Sequence, residues 1–355
     1  MTPLAARTST DRQSEPVHAI KRGEIVDWEV LESVLYYGLY EQLGWIEGGE
    51  GPLLLVDPPL TPRLHRERLC QLAFEVFNVQ SYYTIDAAVS SLYAIGKLNG
   101  LVVDIGYEKI DVSPVLDGLL QTSNVTRLPY GGNDLTLWLQ HHLLREMKGI
   151  EVGFEEAEKM KKHCMHVKAC VAADGESDGA SDSASQSYTL PDGQTISLIE
   201  EGWKLGEALF DAPRILHNSI VIDEKHTPLV CLGDAVFSAS GLFSAVQNER
   251  EARKTLIENI FLCGGGSCIA GLEKRLLHEV SLRAPPSALP AACHGPEHLG
   301  RPCDTAQRAA WTGGALLAKI VFGGAFGSTT QQLQQSLSKA DYDEVGPTVV
   351  HRKCL

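Results

Sequence analysis

Apolar residues recur at helical spacing in three segments of the amino-terminal part of the chain, where we expect ordered structure to begin near Ile20. The first is WEVLESVLYYGLYEQLG, which Asp27 precedes as an N-cap and whose predicted inward face consists of Val30, Val34, Leu35 and Leu39. The second is RLHRERLCQLAFEVFN, whose predicted inward face consists of Leu69, Leu72, Ala73 and Val76. The third is AAVSSLYAIG, a predicted helix that Gly96 ends.

Short apolar runs between the helices predict strands. PLLLVDPPLTP predicts a buried strand before a proline turn, and GLVVDIGYEKIDVSPVLDG predicts a hairpin around a polar turn. YTLPDGQTISL predicts a second hairpin, because Pro191-Asp192-Gly193 is a strong turn signal. Further along, IFLCGGGSCIAGLEKRLLHEV predicts a strand, a glycine loop and a helix, and AAWTGGALLAKIVF predicts a buried helix or helix pair. Because strands alternate with helices, the sequence predicts an α/β fold.

Three polar segments interrupt this pattern. Residues 1–18 predict a disordered tail rather than an organelle transit peptide, because the segment is short and contains Asp11 and Glu15. Residues 172–187 form an acidic insert rich in serine and glycine, and residues 323–338 form a second predicted loop insert. We expect neither insert to contribute to a folded core, since both are too polar to bury much apolar surface.

The composition narrows the class of protein. The 355 residues suffice for two domains or two lobes, and 44% of them are hydrophobic without any run long enough to span a bilayer. The formal net charge of −14 argues against a protein that binds nucleic acid through its own basic surface, although such a chain could belong to a nucleic-acid-bound complex. The nine cysteines are scattered, so we expect reduced thiols and a location in the cytosol or nucleus.

The polar turn of the first predicted hairpin is a candidate phosphate site. Asp104 ends the first strand, where its carboxylate could hold Mg²⁺ through water, and Gly106 would let the turn approach a phosphate closely. The same residues are compatible with a plain turn that Asp104 caps, and the stretch alone favours this second interpretation.

A second candidate is the run Gly264-Gly265-Gly266-Ser267, which lies between a predicted strand and a predicted helix. Glycines let backbone N–H groups approach a phosphate or a ring, and the start of a helix favours an anion. The run matches neither the P-loop nor the dinucleotide-binding fingerprint, and a purely structural turn is an equal alternative.

The carboxyl-terminal stretch KADYDEVGPTVVHRKCL resembles the terminal signature of actin and its relatives. Other stretches resemble actin in the same order along the chain: KRGEIVDWEVLE, LAFEVFNVQSYY, SSLYAIG, GLVVDIGYEKIDVSPVLDG, GGNDLT, YTLPDGQTIS, EALF, LCGGGSCIAG and WTGGALLAKIVF. The resemblance covers about Ile20 to the end, apart from the inserts, and implies the actin-like ATPase fold, a duplicated ribonuclease-H-like fold with two lobes. Within the superfamily, LGWIEGGEG and VVDIGYEKIDVSPVL look most like the plant actin-related protein 7 family, whose members are nuclear.

The resemblance also implies how the chain divides. Residues 19–94 and 309–355 would form subdomain 1, residues 95–130 and 217–308 subdomain 3, and residues 131–216 subdomain 4. No stretch resembles the family's first phosphate hairpin or its second subdomain, so we expect an amino-terminally truncated fold. The missing strands would leave a sheet edge exposed in the first lobe unless a partner covers it.

By position, the resemblance implies a set of nucleotide-site residues. Asp104 and Gly106 would lie in the second phosphate hairpin, with Asp104 on the Mg²⁺ side, and Gly132 and Asp134 would lie on the opposite lobe of the cleft. Lys161 and Lys162 occupy the place of the helix that contacts base and ribose in actin. The adenine-side loop would consist of Gly264, Gly265, Gly266, Cys268 and Ile269.

Several positions depart from the family pattern. Ala87 stands where actin has the glutamine that orients the attacking water, and an alanine side chain can neither donate nor accept a hydrogen bond. The second hairpin carries Tyr107 and Glu108, which add bulk and negative charge near a triphosphate, and the acidic position on the base side is Lys162. We therefore expect no ATP hydrolysis, and weak or absent binding of ATP and Mg²⁺.

The departures argue against catalysis, and the resemblance to the actin-related protein 7 family implies a subunit of a nuclear chromatin-remodelling complex. We therefore expect a non-catalytic actin-fold scaffold subunit of such a complex, located in the nucleus and also in the cytoplasm. In the family, a partner helix lies in the groove between the two large lobes. The residues expected to line that groove are Tyr93, Gly96, Leu317, Ile320 and Phe322, although ordinary core packing explains each of them equally well. Two alternatives are a nucleotide-binding ATPase or cytoskeletal actin relative, and a shortened product of a full-length relative.

Overall fold

The computed structural model describes residues 17–146, 151–167, 187–191, 193–212, 230–241, 250–296, 302–323 and 336–354. Most of the predicted tail 1–18 and of the predicted inserts 172–187 and 323–338 therefore lies outside the described residues. In the described ranges, no helix is long and apolar enough to cross a membrane. The chain divides into two compact units, which we call the first unit (Met1–Ala94 with Ala310–Leu355) and the second unit (Ile95–Ala309).

The first unit begins with a two-stranded hairpin, β1 (Ile20–Lys21) and β2 (Glu24–Ile25), followed by α1 (Trp28–Tyr36) and one π-helical stretch to Gln42. Asp27 caps α1 as predicted, because its carboxylate accepts hydrogen bonds from the backbone N–H groups of Glu29 and Val30. Of the four residues predicted to face inward, only Leu39 is buried. The other three, Val30, Val34 and Leu35, are half-buried, and Leu31 is buried instead.

A parallel strand pair forms the centre of the first unit. β3 (Leu53–Asp57) leads to α2 (Arg63–Gln71) and its π-helical extension Leu72–Val76, and β4 (Ser81–Asp86) leads to α3 (Ala87–Ala94). β3 and β4 are in register, with Asp57 opposite Asp86. The prediction that Val76 faces inward is wrong, since Val76 is 47% exposed. The wider π turn rotates the end of this helix, so that Phe74 and Phe77 are buried instead.

The second unit is built on one five-stranded sheet. β5 (Gly100–Ile105) and β6 (Ile110–Leu116) form the predicted hairpin, and β7 (Leu119–Leu120) and β8 (Thr126–Leu128) both pair with β6. β11 (Ile260–Cys263) completes the sheet by pairing in parallel with β5. The strands β5 and β11 are almost fully buried apolar runs, as expected of strands that are covered on both faces.

Helices and a small hairpin surround this sheet. In chain order they are α4 (Gly132–Glu146), α5 (Phe154–Cys164), the hairpin β9 (Ser187–Thr189) and β10 (Thr195–Ser197), α6 (Ile199–Glu207), α7 (Leu232–Ala239), α8 (Arg250–Ile257), α9 (Leu272–Ser281) and α10 (Pro302–Gln307). The predicted hairpin at Pro191 is confirmed by the pairing of β9 with β10. One continuous core joins sheet and helices, with Leu101, Ile110, Leu139, Met160 and Leu276 among its fully buried members.

The chain returns to the first unit through α11 (Ala309–Val321), β12 (Leu337–Ser338), α12 (Lys339–Val345) and α13 (Val350–Lys353). β12 pairs antiparallel with β4, which gives the sheet order β12-β4-β3. The prediction that α11 is buried is only partly correct. Its glycines Gly313 and Gly314 are buried against the unit, but Trp311 is 67% exposed and Ile320 is 62% exposed.

Candidate nucleotide site

The turn between β5 and β6 packs directly on the start of α4. The backbone N–H of Gly106 donates to the carbonyl of Lys109, which closes the turn. A Cβ atom on Gly131 would lie 2.7 Å from the backbone oxygen of Tyr107 and 2.8 Å from that of Gly106. Only a glycine therefore allows this close approach of the two backbones.

Three backbone amides at the start of α4 are bonded within the protein. The N–H of Gly131 donates to the carboxylate of Asp134 at 2.8 Å, and Asp134 itself is buried. The N–H groups of Gly132 and Asn133 donate to the carbonyls of Gly106 and Tyr107, at 3.0 Å and 2.6 Å. The amides that a helix start usually offers to an anion thus hold the hairpin turn instead.

Lys161 extends from α5 into the same region. Its side chain is almost entirely buried, and its ammonium donates to the carbonyl of Gly132 at 2.5 Å and to the hydroxyl of Thr136 at 2.7 Å. Burial lowers the pKa of Lys161 to about 8, although the carboxylate of Glu158 opposes the shift. Lys162 points outward and forms an ion pair with Glu158 at 2.8 Å. The structure therefore brings Lys161, but not Lys162, to the start of α4.

We expect Lys161 to make stability depend on pH above neutrality. Its pKa is about 8 in the folded protein and near the ordinary lysine value of 10.5 in the unfolded chain, so the unfolded state binds more protons between these values. The free energy of unfolding should therefore increase from about pH 8 to about pH 10 by more in the wild type than in Lys161→Met. Urea titrations measure this difference. The exposed Lys162→Met is the matched control, and parallel pH curves for all three proteins would contradict the prediction.

Asp104 lies between the hairpin and the glycine loop after β11. Cys263, the last residue of β11, is the register partner of Asp104, and a Cβ atom on Gly264 would lie 2.3 Å from the Asp104 carboxylate. Burial raises the pKa of Asp104, and the nearby charge of Asp111 raises it further, whereas Lys109 opposes the shift. The carboxylate is thus covered closely by the loop.

The glycine loop itself is packed at two positions and open at one. Gly264 has a positive φ of 80°, and a Cβ atom on Gly266 would lie 2.1 Å from a methyl group of Ile105. The N–H of Ile269 donates to the carbonyl of Gly266. Around Gly265, in contrast, nothing lies within 4 Å of an added Cβ atom. Gly265 is therefore the part of the loop that a planar ring could approach.

Cys268 in this loop is disulfide-bonded, so the expectation that the cysteines are reduced thiols is wrong at this position. The amide of Gln307 also donates to its sulfur at 3.3 Å. Among the described residues, the free thiols are Cys70, Cys164, Cys231, Cys263, Cys293 and Cys354. Scattered spacing along a chain carries no information about which sulfurs the fold brings together, so the amino-acid order does not predict this bond.

An ion-pair cluster beside the hairpin was missed by the sequence analysis. Asp111 is buried on β6, and Arg127 on β8 donates to its carboxylate at 2.6 Å, while Lys109 forms a second ion pair with it. The signal available in the sequence was the alternation of charged residues within an otherwise apolar hairpin.

In the described part of the chain, no group of three His, Cys, Asp or Glu side chains is placed to hold a metal ion.

The remaining predicted residues lie elsewhere. Ala87 begins α3 in the first unit and is half-buried. Of the expected partner-groove residues, Tyr93 on α3 and Leu317 on α11 are half-buried, Ile320 is exposed, and Phe322 follows α11 directly. Gly96 belongs to the second unit and has a positive φ of 72°.

A family model described as Actin matches residues 6–355. The chain belongs to the actin family. It is 38% identical over 337 residues to Actin-related protein 7 of Arabidopsis thaliana, an alignment that covers 95% of this chain and 84% of the relative. It is 36% identical over 345 residues to Actin-related protein 7 of Oryza sativa subsp. indica, and this alignment covers 96% of this chain and 87% of the relative. The predicted α/β, actin-like two-lobed fold and the predicted similarity to plant actin-related protein 7 are confirmed.

Proposed function

We propose that this actin-family protein is a non-catalytic scaffold subunit of a nuclear chromatin-remodelling complex and binds a partner helix in the groove between its large lobes. The observation that carries the proposal is the internal bonding of the candidate nucleotide site. The N–H groups of Gly132 and Asn133 and the ammonium of Lys161 already donate to backbone carbonyls of the protein. A site in this state favours a structural role over phosphate chemistry.

The phosphate side of the site fits a nucleotide poorly. A triphosphate would need the N–H groups of Gly132 and Asn133 or the ammonium of Lys161, and each is already bonded. Charge-assisted hydrogen bonds to a phosphate would contribute about 1.5–3 kcal/mol each. Each of them would first require the breaking of a hydrogen bond inside the protein, so the net gain in nucleotide affinity is small. Ala87 supplies no group that could orient water. We therefore propose that ATP and Mg²⁺ bind weakly or not at all and that no hydrolysis occurs.

The surface of α11 supports a protein partner. Leu316, Lys319 and Ile320 are spaced by three and four residues and all are exposed, which places two apolar side chains on one solvent-facing side of the helix. Exposed apolar side chains that cluster on a helix are typical of interaction surfaces. The similarity to actin-related protein 7 and the net charge of −14 support binding of other complex subunits rather than direct recognition of nucleic acid.

A nucleotide-binding, actin-like ATPase is the second candidate, and one observation favours it. The open surface at Gly265 leaves room for a planar base at the adenine-side loop. This function would require the amides of Gly132 and Asn133 to release the hairpin carbonyls when nucleotide binds.

One binding experiment separates the two candidates. The immobilised protein should retain a long helical peptide taken from a remodeller ATPase, and the amount retained should be the same with and without Mg-ATP. No phosphate should be released from the added ATP. Ile320→Glu should weaken capture at least tenfold, because it puts a charge into the contact, as is typical of interface hot spots. The matched control is Leu282→Glu, at an apolar side chain of similar exposure outside α11. Loss of capture together with a Mg-ATP-induced rise in melting temperature would favour the ATPase instead.

A further inference from the structure

Cys268 differs from the other described cysteines in both exposure and bonding. It is exposed and disulfide-bonded, whereas the others are free thiols and each is buried or half-buried. Burial raises the pKa of Cys70 and of Cys164 to about 12, so their reactive thiolate forms are scarce at neutral pH. Among the described cysteines, Cys268 is therefore the one that a reagent in solution reaches most directly.

The free thiols also indicate the setting in which this disulfide exists. Cys231 and Cys354 are half-buried rather than sealed in the core, and both are unpaired. A chain that leaves such thiols unpaired is typical of a reducing compartment, where a disulfide is usually transient and either catalytic or redox-sensing. Exposed disulfides are also the ones that small thiols reduce most readily. Both features favour a reversible bond over a permanent structural one.

The loop that carries Cys268 contacts α10 at both of its ends. At the start of the loop, the N–H of Gly264 donates to the carbonyl of Ala306 at 3.2 Å. At the end, the side-chain amide of Gln307 donates to the sulfur of Cys268 at 3.3 Å. A sulfur atom is a weak hydrogen-bond acceptor, so this contact alone restrains the end of the loop weakly. The covalent bond at Cys268 is the strong restraint at this end.

The opposite side of the loop lies on the β5–β6 hairpin. A Cβ atom on Gly264 would lie 2.3 Å from the carboxylate of Asp104, and one on Gly266 would lie 2.1 Å from a methyl group of Ile105. The loop backbone therefore packs directly on the end of β5. A loop that moved away from the hairpin would increase the exposure of the Asp104 carboxylate and of the loop's own backbone N–H groups.

We propose that the Cys268 disulfide is a redox switch, which keeps residues 264–269 on the β5–β6 hairpin while it is intact and releases them when a low-molecular-weight thiol such as glutathione reduces it. These residues form the expected adenine-side loop of the candidate nucleotide site, so the redox state of Cys268 sets the mobility of that loop. The proposal goes beyond the scaffold function and does not depend on it, because it concerns one bond and one loop of this chain.

Reduction proceeds by two thiol–disulfide exchanges. The thiolate of one glutathione attacks the exposed sulfur of Cys268, which breaks the protein disulfide, forms a mixed disulfide and releases the partner cysteine as a thiolate. A second glutathione thiolate attacks the glutathione sulfur of the mixed disulfide, and Cys268 leaves as a thiolate that the amide of Gln307 stabilises. The two protons lost by the glutathione thiols end on the two protein thiols, and one glutathione disulfide is formed.

Hydrogen peroxide supplies the reverse reaction. It oxidises one of the two protein thiols to a sulfenic acid and is itself reduced to water. The second thiol then attacks the sulfenic sulfur, which forms the disulfide and releases the hydroxyl group as a second molecule of water.

The test compares the full chain before and after treatment with millimolar glutathione. A digest prepared without reductant should contain Cys268 in a disulfide-linked peptide. After the treatment, Cys268 should react with N-ethylmaleimide, and hydrogen peroxide added before the reagent should restore the bond. Hydrogen exchange of the amides of residues 264–269 should be at least tenfold faster in the reduced protein, whereas exchange in the core strand β6 should be unchanged.

Two variants separate the bond from other effects of glutathione. Cys268→Ser removes the bond, so residues 264–269 should exchange fast both with and without glutathione. The matched control is Cys231→Ser, at a half-buried free thiol, and this protein should keep the glutathione-dependent change of the wild type.

Four results would overturn the proposal. They are alkylation of Cys268 before any reduction, a disulfide that millimolar glutathione leaves intact, exchange of residues 264–269 that reduction leaves unchanged, and faster exchange throughout the second unit after reduction. The last result would mean that the bond stabilises the whole unit rather than the position of the loop. Capture of a helix through Ile320 is read out separately, so failure of one proposal does not imply failure of the other.

Discussion

Replacement of Arg66 by methionine is expected to lower the free energy of unfolding by about 3–5 kcal/mol at neutral pH, the usual cost of leaving buried charges without their partner. Arg66 on α2 bridges two carboxylates that end the parallel strands β3 and β4. Its Nε lies 3.0 Å from Asp57, and its terminal nitrogen donates to Asp86 at 2.5 Å. Thr84 donates a further hydrogen bond to Asp57 at 2.6 Å.

The pH dependence of this loss gives a second readout. Burial raises the pKa of both Asp57 and Asp86, and Arg66 opposes the shift in each case. In Arg66→Met, protonation of these two carboxylates at lower pH removes their uncompensated negative charge. The decrease in the free energy of unfolding should therefore be smaller at pH 5 than at pH 7. Urea denaturation at both pH values measures it. Arg63→Met, at an exposed arginine of the same helix, should cost less than about 0.5 kcal/mol. Equal losses in the two variants would contradict the prediction.

Gly313→Ala is expected to destabilise the first unit by about 3 kcal/mol, because the added methyl group has no space. A Cβ atom at this position would lie 1.7 Å from the carbonyl oxygen of Ser90, so the backbones of α3 and α11 would have to separate. The hydroxyl of Ser90 also donates to the carbonyl of Ala310 at 2.6 Å, and this bond would be lost. Thermal and urea denaturation measure the effect.

Gly38→Ala is the matched control for this prediction. Gly38 lies in the helical stretch after α1, and nothing lies within 4 Å of an added Cβ atom there. Alanine should leave stability unchanged or increase it by up to about 1 kcal/mol, the helix-propensity gain over glycine. A Gly313→Ala protein as stable as Gly38→Ala would show that α3 and α11 can move apart at no cost.

Local pattern predicted much of the fold. The capping of α1 by Asp27, the β5–β6 hairpin and the strand before the glycine loop are each specified by a few neighbouring residues, and all are confirmed. The prediction failed at Val76, where a π turn changes the helical period, and at α11, whose apolar composition indicated burial. Periodicity assumes a constant helix geometry, and composition does not tell a covered helix from one that presents apolar residues to a partner.

The sequence by itself determined the family, the α/β class and the positions of the two candidate loops, because ordered motifs and local turn chemistry are encoded by residues close together in the chain. Only the tertiary structure decided what those loops bind within the protein. That Lys161 bonds to Gly132, that Gly264 lies against Asp104, and that β12 pairs with β4 depend on residues far apart in sequence. Such contacts follow from how whole elements pack, and close packing leaves no local signature in the amino-acid order.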